Sequence, residues 1–138
     1  MRRMTAKRGI ALLATLILLF GVICFFSPYA RTRAFIALYG NEMESMLKAG
    51  AGLRAHRGIR HFNVWEGEHD MAEFILLCYG DTYYGCYYSP DDVPLPFQNA
   101  GAALSQADGG YWNWTAEGDN HGATKRIKAH WYYFKASF

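Results

Sequence analysis

Met71–Ser89 reads MAEFILLCYGDTYYGCYYS, two runs of strand-forming residues on either side of a Gly80-Asp81-Thr82 turn. The first run, Met71–Tyr79, is apolar almost without a break. That is the pattern of a strand covered on both faces, so it is expected at the centre of a sheet. The second run, Tyr83–Ser89, pairs back on it as a hairpin. A turn centred on Thr82 sets Cys78 opposite Cys86 at a Cα spacing that admits a disulfide, whereas a one-residue slip sends the two thiols to opposite faces. Upstream, Ile59–Glu66 is a further strand, joined through the polar turn Glu66–Asp70. Downstream, Ser89–Phe97 carries Pro90, Pro94 and Pro96 and reads as an ordered loop with at most one helical turn. Ala102–Ala107, Tyr111–Glu117 and Thr124–Phe138 are the remaining strands, separated by Asp108-Gly109-Gly110 and Gly118–Gly122. Turn signals recur about every ten residues with no helical pattern between them, which favours an antiparallel β-meander of about five or six strands.

Before the sheet, Phe35, Leu38, Tyr39, Met43, Met46 and Leu47 recur at helical spacing and make 31–52 one amphipathic helix. Ala49–Gly58 is a glycine-rich basic connector. The fold class is therefore α+β. Gly9–Ala30, GIALLATLILLFGVICFFSPYA, holds no charge. As one helix it would run roughly 33 Å, the thickness of a bilayer core, and it reads as an N-terminal transmembrane helix. It is too long for the apolar part of a cleaved leader, and Ile23 disfavours a lipid on Cys24. Arg2, Arg3, Lys7 and Arg8 make 1–8 a cytoplasmic stub, 9–30 the anchor and 53–138 an exported β domain, at the cell membrane with the C-terminal part outside.

The chain is formally +2, but from Arg31 onward acids exceed Lys and Arg. No clustered basic face points to nucleic acid. Glu66, Glu68, His69, Asp70 and Glu73 crowd one segment without the spacing of any metal motif, and there is no phosphate loop, dinucleotide fingerprint or nucleophile elbow, so no metal or cofactor is expected. The positive hints are aromatic and loop-borne. Trp112 and Trp114 share one face of a strand and offer flat surfaces to sugars, or else core. Asp91, Asp92, Asp119 and His121 sit on loops held by a scaffold, where binding groups concentrate. The expected role is a non-enzymatic interaction, glycan-binding or structural protein of the cell envelope, with the membrane and a glycan or envelope protein as partners. The alternative is a small envelope hydrolase or metal-dependent enzyme, which would need His69 or His121 joined to two carboxylates.

The N-terminal apolar run together with YYGCYYSPDDVPLPF, the EGDNHG turn and the terminal HWYYFKASF resembles small uncharacterised single-pass membrane-anchored proteins of Gram-positive gut bacteria. The resemblance implies a location at the membrane. It implies no activity and no site residue.

Overall fold

The structure, a computed structural model, describes residues 6–50 and 58–138, giving backbone alone for 6–8 and 23–25. Residues 1–5 of the expected stub and 51–57 of the expected connector lie outside the described residues, as does the Cys24 side chain. Among the described residues two helices, α1 (Ala6–Phe26) and α2 (Pro28–Lys48), precede seven strands: β1 (His61–Trp65), β2 (Met71–Tyr79), β3 (Thr82–Tyr88), β4 (Leu104–Ala107), β5 (Tyr111–Thr115), β6 (His121–Lys128) and β7 (Trp131–Ser137). All strand pairs are antiparallel, and the fold is α+β.

The expected transmembrane helix is corrected. Among the described residues no helix is long and apolar enough to cross a membrane. Ser27 is the reason: its hydroxyl accepts the Ala30 N–H, Pro28 takes the first helical position, and Pro28–Ala30 become the first turn of α2. The uncharged part of α1, Gly9–Phe26, then runs roughly 27 Å, short of the apolar core of about 30 Å. Ile10, Leu13, Leu16, Ile17, Leu18 and Phe20 are all more than half exposed, and they point to every side of the helix.

The meander of five or six strands is corrected as well. The sheet has seven strands in the order β1-β2-β3-β7-β6-β5-β4, so two meanders, β1–β3 and β4–β7, meet where β3 pairs with β7. The extra strand comes from Thr124–Phe138, which folds back at Ala129-His130 with Lys128 opposite Trp131. That turn contains no Gly, Asn or Pro. His130 itself takes the left-handed conformation, φ 64°, one that glycine usually supplies.

β2 is buried on both faces through Leu77, as its apolar run implies, but it stands second from the edge and β7 occupies the centre. One face of the sheet packs under α2, where Ile36 and Met43 meet Phe74, Cys86, Tyr88 and Trp131. Leu38, expected on the buried face of α2, points outward at 74% exposure. Gly40 is buried instead, and the Lys128 side chain lies against it to reach Asn41 Oδ1 at 2.8 Å. The other face is covered by the chain between β3 and β4, with Leu95 and Phe97 packed on Tyr87, Tyr132, Phe134 and Trp114. A buried relay fixes that cover: the Leu95 N–H donates to the Tyr87 hydroxyl (2.8 Å), which meets Thr124 Oγ1 (2.8 Å), which in turn donates to the Tyr133 carbonyl (2.9 Å).

Candidate functional site

The sheet end where α2 stops holds a cavity of about 470 Å³. Its floor is a cross-strand row, Val64 on β1, Ala72 on β2 and Tyr88 on β3, which the pairing register sets side by side on the face toward α2. Leu47 and Lys48 of the last α2 turn form one wall. Asp70, Pro90 and His130, from three different turns, form the rim. Lys48 Nζ is held at 2.7 Å by Glu44 one turn earlier, and this pairing is the main reason the Glu44 carboxyl is shifted down and the Lys48 amine up. Burial pushes the Tyr88 hydroxyl up, so it stays a neutral hydrogen-bonding group. His130 Nδ1 lies 3.1 Å from the Ser89 carbonyl; a carbonyl only accepts, so Nδ1 carries the hydrogen and Nε2 is the acceptor of the neutral ring. An apolar floor with a carboxylate, an amine and an imidazole around its edge is the make-up of a small-ligand site. Nothing in the spacing of these residues singled out the cavity, since they come from α2, three strands and three turns.

Of the residues singled out in the sequence, Asp92 is committed to the fold. In the left-handed conformation, φ 55°, it pairs with the Arg126 guanidinium, accepts the His130 N–H at 2.8 Å and faces the Tyr132 hydroxyl at 3.2 Å. The Arg126 hydrogen bonds, helped by His130 and Tyr132, bring its carboxyl down to about 2. A depressed folded value makes this contribution fully present above the ordinary carboxylate value and lost as the pH falls below it, through the folded value. Asp92→Asn keeps a residue that tolerates the backbone but removes the charge, and should cost about 1–2 kcal/mol near pH 7, discounted for partial exposure. The difference should shrink toward zero near pH 2. Urea unfolding at both pH values checks this, and an equal loss at the two would show that the charge is not what counts.

Asp91 meets His69 Nδ1 at 2.8 Å on the surface. Asp119 contributes only its backbone carbonyl, 2.6 Å from His121 Nδ1, so that turn closes on itself. The two loops form no shared site: Asp91 and Asp92 are engaged at the β6–β7 hairpin and the β1–β2 turn, while Asp119 and His121 stay local. Trp114 is buried at 3% exposure and Trp112 packs partly buried on the same cluster. They share a face as alternation requires, but as core rather than as a stacking platform.

The cross-hairpin disulfide is not made, and both thiols are free. The turn is Gly80-Asp81, with Tyr79 opposite Thr82, and a bulge between Ile75 and Leu77 shifts the register, so Cys86 faces Phe74 and Cys78 faces Tyr83. Cys86 lies under α2, and Cys78 lies on the other face. Burial raises the Cys86 thiol far above its usual range, which removes its thiolate character. Ser89 is buried, its hydroxyl accepting the Val93 N–H. In the acidic segment Glu73 is fully buried beneath the loop, apart from His69 and Asp70. Among the described residues no three His, Cys, Asp or Glu side chains gather to hold a metal ion. No known protein family, curated protein or solved structure matches this chain.

Proposed function

We propose that this chain is a non-enzymatic binding domain held at a lipid surface by α1, with the cavity at the end of α2 as its ligand site. The bare surface of α1 carries the reading. Large apolar side chains face every direction around it, among them Leu18 at 70% and Phe20 at 69% exposure. At about 25 cal/mol per Å² such a surface is costly in water and gains stability among acyl chains. The cavity suits a ligand with one apolar face and several hydroxyl groups, such as a sugar ring, laid on the Val64–Ala72–Tyr88 floor with the Asp70, Lys48 and His130 rim as hydrogen-bond partners. A binding role is supported over an enzymatic one by the fate of the two histidine turns: His69 meets one carboxylate and His121 a backbone carbonyl.

The full chain, delivered from dilute detergent, should float with phosphatidylcholine vesicles. A variant with Leu13→Asp, Ile17→Asp and Phe20→Asp should stay in the dense fraction with the thermal midpoint of the sheet unchanged, because these side chains touch none of it. Flotation of the triple variant equal to the native chain would overturn the reading.

A further inference from the structure

We infer that the junction of α1 with the sheet is a surface for anionic lipid headgroups, which deepens the lipid-surface reading above and rests on it. The break at Ser27 sets the start of α2 beside β6 and β7, where the Tyr29 ring meets Tyr133 edge-on at 5.2 Å between centroids. The Lys125 ammonium lies 5.2 Å from the centre of the Tyr29 ring and 4.6 Å from that of Tyr111. A cation between two phenols is therefore fixed next to the point where the apolar helix ends. Tyrosines and basic side chains are the residues that settle at the level of lipid headgroups.

Charge on the surrounding chain has one sign. From Met1 to Asn41 the sequence holds six Arg or Lys and no acid, and Arg31 and Arg33 fall in the first turns of α2. Lys125 stands on the face of the sheet that α2 covers. Arg126, its neighbour, faces the opposite way and is occupied by Asp92, so the cationic face is that of Lys125 and the α2 start. With α1 in lipid, this face lies against the headgroups within a Debye length of them. Each cation so placed raises partition onto an anionic surface roughly five-fold.

Vesicles of phosphatidylcholine alone and of phosphatidylcholine with one third phosphatidylglycerol separate the two parts of the reading. The native chain should partition at least about 20-fold more strongly onto the anionic vesicles at low salt, and lose that preference near 1 M salt, where the Debye length is about 3 Å. Arg33→Gln with Lys125→Gln should lose most of that preference, roughly five-fold for each cation removed, while Lys125→Arg, which keeps the cation and its ring contacts, should retain it. Far-UV circular dichroism and thermal midpoints certify that the variants are folded. Equal partition of the native chain onto both vesicles, or full preference in the double variant, would overturn this inference and leave attachment through α1 standing. Failure to bind either vesicle would overturn both.

Discussion

Gly85→Ala should leave little folded protein, with a loss on the order of 3–5 kcal/mol, as large as single core substitutions give. Gly85 lies on β3 against the bulge of β2, and a Cβ built on it would come within 3.0 Å of the Phe134 ring and closer still to the Phe74 carbonyl oxygen. A flexible side chain could yield. The carbonyl belongs to the paired backbone of two interior strands, so relief requires moving β2 away from β3. Gly101 supplies the comparison, because a Cβ there meets nothing within 4 Å, and Gly101→Ala should unfold within about 0.5 kcal/mol of the native chain. Urea unfolding of the two variants side by side checks this, and a Gly85→Ala midpoint equal to that of Gly101→Ala would mean that the sheet gives at this point.

Glu73 is the second position where one side chain should count for much. It is fully buried beneath the loop that covers β2 and β3, with Oε2 accepting the Gln98 N–H at 3.0 Å and Oε1 lacking a hydrogen-bond partner. Burial pushes its carboxyl up, against the opposing pull of Gln98, Trp65 and Asn63. An acid raised in the folded state contributes stability that is complete below its unfolded value, about 4.3, and is lost as the pH rises through the folded value. Glu73→Gln mimics the protonated form, so its stability relative to the native chain should rise by about 1 kcal/mol between about pH 5 and pH 8. Glu73→Ala should instead cost about 2–4 kcal/mol, because it leaves a void and an orphaned Gln98 amide. Thermal unfolding of the three proteins across that range decides it; a gap between native and Glu73→Gln that is constant with pH would show the carboxyl to be ionised in the fold throughout.

These two positions mark what the sequence could and could not convey. Strand identity was legible wherever apolar runs and turn residues agreed, as in the β1–β2 and β2–β3 hairpins and in Trp112 and Trp114 sharing a face. The β6–β7 hairpin was hidden because His130 makes its turn with a residue type that carries no turn signal. The uncharged run continues across Ser27-Pro28, so length arithmetic on the run overstated the helix. The disulfide failed because the hairpin turns at Gly80-Asp81 rather than about Thr82, which sets Cys78 opposite Tyr83 and leaves Cys86 on the other face. Asp91 and Asp92 were expected to be binding groups on a scaffolded loop; in the fold they meet Arg126, His130 and His69, brought in from other parts of the chain. The cavity shares that character, since its floor and rim come together only through strand register.

The meeting of β3 with β7 has a consequence for how the chain is assembled. Thr82 and Ser137, hydrogen-bonded at 3.1 Å across that seam, are 55 residues apart, and the strand order puts β7 between β3 and β6. During synthesis β1–β3 and β4–β6 can each pair locally as soon as they emerge, but each then ends on an open edge, β3 on one and β6 on the other. Of the described strands β7 comes latest in the sequence, and it closes both edges at once. Until Trp131–Ser137 leaves the ribosome, the nascent chain therefore carries two unpaired borders of high β-propensity, and the interval before their closure is when this protein is most exposed to association with its own copies.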